Sequence, residues 1–342
     1  MVCHLTHVFY YLTHHSMEPQ PCSGSWRLLS AAASAASLGR VYDCPLLDAG
    51  FVRRHSQARK GRVPVFEPSC AGDAPQSSAL DLLKLLHGRT LLLLGDSISE
   101  QHFYSLACSF LSVSSPTSWW PRNASARELW KTRTCLPFEP AHDFILCYVV
   151  AGKSNEHLQP RPWVLSARLR SSLQPTDVVL MNVGVHLDDA ITATKVYEQI
   201  AGPLLKSSNA SSVAREGPGG GEAAGPSPAG PLVIFRETAP QHFAAGVYNR
   251  RNPPPRASRC TPLPERWADA PERNRYNEAI LPLLRRDRVP VLDVWRSSAM
   301  MHAEHVSRSP AVLDCTHWIL PGVRTCRSSL SPVYRPQDSS PP

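Results

Sequence analysis

The sequence predicts an α/β protein: a mainly parallel sheet with helices on both faces. Three observations lead there. From Thr90 onward, strand-like apolar runs alternate with segments of helical pattern. The first of those runs, Thr90 to Gly95, passes straight into Gly-Asp-Ser and then a helix, the ordinary order of buried strand, glycine-containing turn and helix start. Finally, 342 residues with 42% hydrophobic content suffice for a sizeable core, in one large α/β domain or two small ones.

In chain order, TLLLLG is the first strand and SEQHFYSLACSFL a helix with an apolar face. FILCYVVA, Phe144 to Ala151, is the second strand. DVVLMNVGVH, Asp177 to His186, is the third, and AITATKVYEQIAGPLL is the helix after it. PLVIFRETAP, Pro231 to Pro240, is the fourth strand, and RNRYNEAILPLLRR a helix interrupted by Pro282. VPVLDVW, Val289 to Trp295, is the fifth strand. Residues 206–230 are rich in Gly, Ala, Ser and Pro, and are expected to form a disordered surface loop between helix and strand, not a domain boundary. The organisation expected is an unassigned N-terminus over 1–21, a Cys-containing segment over 22–89 packed on the main domain at 90–325, and a flexible tail over 326–342. Sites on such sheets lie at the carboxyl ends of strands, where Gly95, Asp96 and Ser97 stand.

The net charge is +8, but the basic residues are scattered and no stretch interleaves them with aromatics, which argues against a nucleic-acid partner. A weakly basic surface suits an acidic glycan. Ten cysteines include no CxxC pair and no Cys/His zinc spacing, so no metal is expected. Cys22, Cys44, Cys70, Cys108, Cys135, Cys147, Cys260, Cys315 and Cys326 are spread along the chain as disulfide partners often are. With the sequons at Asn123 and Asn209 they favour a secretory compartment. No run of about 18 apolar residues encodes a membrane span. RLLSAAASAASLG, Arg27 to Gly39, superficially resembles a signal core but begins late and is alanine-serine rich. The first residues resemble neither a signal peptide nor a domain, and an incomplete or misassigned N-terminus is expected.

A serine at a helix start has its hydroxyl at the positive end of the helix dipole, where backbone N–H groups can cradle an oxyanion. Gly95-Asp96-Ser97 alone reads as well as an ordinary cap. A serine nucleophile needs a base, normally a histidine oriented by a carboxylate. Among fourteen histidines, His317 has specific context, in LDCTHWILPGV three residues after Asp314. A single turn would present both side chains on one face, the imidazole toward Ser97 and the carboxylate toward the other ring nitrogen. The spacing alone also arises by chance in loops.

The two motifs together resemble the trichome birefringence-like family: plant and algal polysaccharide O-acetyltransferases of the PC-esterase group, with a three-layer, SGNH-hydrolase-like (flavodoxin-like) fold. CSGSW (Cys22 to Trp26) with YDCPLL (Tyr42 to Leu47) resembles the family's Cys-rich N-terminal opening. VFEPSC resembles its Trp-x-Pro-x-x-Cys segment in degraded form, with Phe66 in the tryptophan position. FRETAPQHF and VYN are similar to the Phe-Arg-Thr-x-Ser-Pro-x-His-Phe…Trp-Asn block, and YNEAILPLL with VPVLDV to the helix and strand before the last motif. The resemblance runs in order from Cys22 to Val323.

By this resemblance Ser97 is the nucleophile, His317 the general base and Asp314 the residue orienting it, with the Ser97 N–H as an oxyanion donor beside Gly95 and Asp96. Asn182 and Gly184 stand where members carry Asn-x-Gly-His; they complete the oxyanion site, shape the pocket, or only form a turn. Arg236 and His242 belong to the family block, His242 suiting a structural role equally. Two departures matter. Glu100 replaces an arginine of the family pattern, and Ile319 replaces the second cysteine of the late motif, leaving Cys315 to pair elsewhere or stay free. The implied reaction is double-displacement acyl transfer, with no bound cofactor. Acetyl-CoA or an acetylated intermediate is the donor, and a polysaccharide hydroxyl the acceptor. An esterase or deacetylase of the same fold and an inactive glycan-binding protein are the alternatives. The resemblance also implies a lumenal Golgi domain, with an N-terminal membrane anchor that is missing from this sequence.

Overall fold

Four consecutive leucines organise the centre of the molecule. Side chains alternate across a strand, and Leu91 and Leu93 enter one hydrophobic core while Leu92 and Leu94 enter another on the opposite face of the sheet. The computed structural model describes residues 24–30, 62–68, 79–114, 134–138, 143–150, 167–185, 187, 190–213, 230–243, 260–267, 274–299, 301–309 and 312–318. In chain order the elements are β1 (Gly24–Ser30), β2 (Arg62–Pro68), α1 (Ala79–Leu85), β3 (Thr90–Gly95), α2 (Ser97–Leu111), β4 (Thr134–Phe138), β5 (Phe144–Val150), α3 (Ala167–Ser172) and β6 (Val178–Met181). They continue as α4 (Ala190–Val213), β7 (Leu232–Arg236), α5 (Arg275–Asp287), β8 (Val291–Leu292), α6 (Trp295–Ala299), β9 (His305–Ser309) and β10 (Val312–Trp318).

The main sheet has six strands in the order β4-β5-β3-β6-β7-β8, all parallel except the β4–β5 pair. Counting the parallel strands alone gives the order 2-1-3-4-5, the flavodoxin-like winding, whose topological switch point lies between β3 and β6. One face packs on α1 and α2 through Leu82, Leu83, Phe103, Leu106 and Phe110. The other packs on α4 and α5 through Val196, Tyr197, Ile200, Ile280 and Leu284. This is the three-layer, SGNH-like α/β arrangement.

The strands are shorter than the sequence suggests. β6 ends at Met181, and the Asn182 N–H makes the last rung of its ladder with β3, donating to the Leu94 carbonyl at 2.9 Å. β8 keeps only two residues before α6 begins. β4 went unpredicted; Pro137 suits it to the edge it occupies. Pro282 does not interrupt α5, which runs through it on the solvent side, and Asn274 caps the helix by accepting from the Tyr276 N–H. α4 continues to Val213, so the first eight residues of the expected loop at 206–230 are helical. Of that loop, 214–229 lie outside the described residues, as do the segment 1–21, Cys22, Cys44, Cys70, Asn123 and the tail at 326–342.

Two smaller antiparallel sheets complete the order: β1 with β2 in the N-terminal segment, and β9 with β10. Disulfides join Cys135 to Cys147 across the β4–β5 pair and Cys260 to Cys315 on β10. No helix among the described residues is long and apolar enough to cross a membrane.

Candidate active site

The site starts from β3. Apolar strand residues end at Gly95, and Asp96 caps α2 by accepting the Ile98 N–H at 2.9 Å. Ser97 is thereby the first residue of a fifteen-residue helix. Gly95 is required by close approach: a Cβ there would land on the Ser99 side chain and 2.9 Å from the Asn182 carbonyl oxygen. From β5, the Tyr148 hydroxyl donates to the Asp96 carbonyl at 3.1 Å, bracing the turn. Burial, then the Glu100 and Asp96 carboxylates, push the Tyr148 phenol well above its ordinary pKa, so it remains a donor.

The second half comes from β10, and not as the single turn expected. The β9–β10 ladder pairs Asp314 with Val306 and Trp318 with His305, so the three residues between, Cys315, Thr316 and His317, bulge out of it. Asp314 closes the bulge itself: its Oδ1 accepts from the main-chain N–H of Thr316 at 3.2 Å and of His317 at 3.4 Å. Its Oδ2 accepts from His317 Nδ1 at 2.8 Å, and that leaves His317 Nε2 to accept from the Ser97 hydroxyl, also at 2.8 Å. All three side chains are buried. The structure thus brings Ser97, His317 and Asp314 into one hydrogen-bonded chain at the carboxyl end of β3, beside the switch point.

The other residues singled out by sequence lie around this chain. The Asn182 amide donates to the Arg236 carbonyl at 2.8 Å and to Thr238 Oγ1 at 3.2 Å, bracing the ends of β6 and β7. Gly184 lets the same threonine approach, since a Cβ there would strike the Thr238 side chain. Arg236 is wholly buried and donates from Nη2 to Ser99 Oγ at 3.1 Å. Burial lowers its guanidinium to about 10, opposed by the nearby Asp96 carboxylate. His242 lies behind β10, with Nδ1 2.7 Å from His305 Nε2 and Nε2 2.9 Å from the Ala299 carbonyl. Burial drives both imidazoles down, His242 to about 4 and His305 to about 3.

Two supporting residues were not among the site residues expected from the sequence. Gln101, one turn after Ser97, donates to the Trp318 carbonyl at 2.7 Å and accepts the Trp318 N–H at 3.1 Å. Asn277 on α5 grips Thr238 the same way, accepting its N–H at 2.8 Å and donating to its carbonyl at 3.1 Å. In each case a side-chain amide replaces the strand partner that an irregular backbone lacks.

No protein-family model matches the chain. It is similar to the protein named trichome berefringence-like 7 of Arabidopsis thaliana, with 25% identity over 312 residues, covering 82% of this chain. The chain is a distant homologue of the trichome birefringence-like proteins. It spans 66% of that relative's length. Of the two departures from the trichome birefringence-like pattern, Cys315 does not stay free, since it pairs with Cys260. Glu100 is buried on α2, where its carboxylate adds to the larger effect of burial in raising the phenols of Tyr104 and Tyr148.

Proposed function

We propose that the protein moves an acetyl group to a polysaccharide hydroxyl through a serine acetyl-enzyme. The observation that carries this reading is the hydrogen-bonded order Ser97–His317–Asp314 at the start of α2. The distant homology to a trichome birefringence-like protein supports the family of substrate. His317 Nε2 takes the hydroxyl proton as Ser97 Oγ attacks the acetyl carbonyl of the donor. The Ser97 N–H, at the positive end of the helix dipole, faces the charge that develops on the carbonyl oxygen. Asp314 holds the imidazole in the Nδ1–H tautomer and stabilises the imidazolium. The leaving group takes the proton from His317. A sugar hydroxyl then gives its proton to Nε2 and attacks the acetyl-serine, and His317 returns that proton to Ser97 Oγ as the O-acetylated glycan leaves.

Gly95 and Asp96 set the turn, while Asn182, Gly184 and Arg236 shape the floor beneath it. The donor is acetyl-CoA or an acetylated intermediate, and the setting is the lumen of the Golgi or a neighbouring secretory compartment.

The test is labelling with a fluorophosphonate probe, wild type beside Ser97→Ala and His317→Ala, in protein from a secretory host. Labelling of wild type alone, mapped to Ser97, is expected. Acetyl transfer to a glycan acceptor then separates this reading from hydrolysis, which releases acetate without an acceptor. A folded wild type that takes no label sinks the reading and leaves a glycan-binding protein.

A further inference from the structure

We propose that His305 is a positioning residue for His317, gripping its main-chain carbonyl through the proton on Nδ1. The proposal rests on the reading of His317 as the base of Ser97. Asp314 fixes the His317 ring, but a ring is only as well placed as the backbone that carries it. That backbone lies in the bulge, outside the β9–β10 ladder.

Asp314 accepts the main-chain N–H of His317, and His305 holds the carbonyl, its Nδ1 lying 2.9 Å from the oxygen. A carbonyl oxygen only accepts, so His305 Nδ1 carries the proton. A neutral imidazole has one N–H, which makes His305 Nε2 an acceptor. The atom 2.7 Å away, His242 Nδ1, is therefore its donor. His242 is in turn held by its main-chain N–H, which donates to the Cys315 carbonyl at 3.0 Å, inside the same bulge. His305 through its side chain and His242 through its main chain thus hold two of the three bulged residues, His317 and Cys315.

Rings flank both imidazoles. Trp318 stacks on His305 with ring centroids 4.1 Å apart, and His302 lies 6.2 Å from His242. Asp314 and His317 on β10 are the charged and titratable neighbours of His305. The Ala299 carbonyl likewise accepts from His242 Nε2 at 2.9 Å. The run of three contacts from Ala299 to His317 therefore holds one proton more than two neutral rings carry, and the extra proton belongs to His242 when His305 Nε2 is bare. No group of three or more His, Cys, Asp or Glu among the described residues is placed to hold a metal ion.

Two measurements test the proposal. Nitrogen–proton correlation spectra of the wild-type histidines, with His305 assigned by its loss in a variant, should show His305 protonated at Nδ1 and bare at Nε2. Protonation at Nε2 overturns the proposal, whatever Ser97 does. The second measurement compares two variants by fluorophosphonate labelling rate across pH. His305→Asn keeps an amide N–H near the position of Nδ1 but cannot stack or titrate. His305→Phe keeps a ring against Trp318 but offers no donor. The Asn variant should label close to the wild-type rate with the wild-type pH midpoint, and the Phe variant about tenfold or more slowly with a displaced midpoint. The reverse order means that His305 only fills space, and the proposal fails. A wild type that is never labelled defeats the acyl-transfer reading alone, because the tautomer is read without it.

Discussion

At the scale of single residues, the polar groups that matter are those that hold the main chain around His317. Gln101 grips both backbone groups of Trp318. Gln101→Leu removes both partners in a buried setting, at about 1–3 kcal/mol for each orphaned group. The urea midpoint should fall accordingly, with Ser97 labelling falling in parallel, and an unchanged midpoint would contradict the grip. Ser97, Asp314 and His317 were legible because their motifs keep chemistry-bearing residues at fixed spacing. Gln101 was not, because nothing near it in sequence shows that Trp318, 217 residues away, will arrive with unpaired backbone groups. His305 was hidden for the same reason, its partners being set by tertiary packing alone.

Among the elements, α6 shows how a short helix is started from a distance. Glu237, just past β7, accepts the N–H groups of Val294 and Trp295 at 3.2 and 3.1 Å. Burial first, then Asp293, raises its carboxyl to about 8. The folded state keeps a proton there that the unfolded chain loses above 4.5, so this group weakens folding as pH rises from 4.5 through about 8. Glu237→Gln keeps the shape and the accepting oxygen without a proton to lose. Melting at a series of pH values should show the alkaline fall in stability flattened in this variant, by up to about 1.4 kcal/mol per pH unit. The Cys260–Cys315 disulfide closes a span of 55 residues onto β10. Replacing both cysteines by serine should cost about 4 kcal/mol by the chain-entropy relation, read from the denaturant midpoint under non-reducing conditions. The five parallel strands were legible because each is an apolar run between helices. β4 and the β9–β10 pair were not: β4 carries a proline, and the bulge in β10 depends on Asp314 turning back on its own backbone.

For the molecule as a whole, three buried groups set opposing pH demands. His242 and His305, lowered to about 4 and about 3 from 6.5, bind protons in the unfolded chain that the folded state refuses. Their effect is to raise stability with pH up to about 6.5. Glu237 acts the other way, from 4.5 to about 8. From these groups the melting temperature should peak near pH 6.5, and Glu237→Gln should turn the peak into a plateau. A wild-type maximum above pH 8 would contradict these shifts. The winding order has a consequence in time as well as space. Ser97 and the imidazole it bonds are 220 residues apart, with every strand of the main sheet after β3 threaded between them. A ribosome delivers the imidazole 220 residues after the hydroxyl. Until then the nascent chain carries a serine as inert as any other, and the chemistry is armed only once β10 has emerged to meet α2.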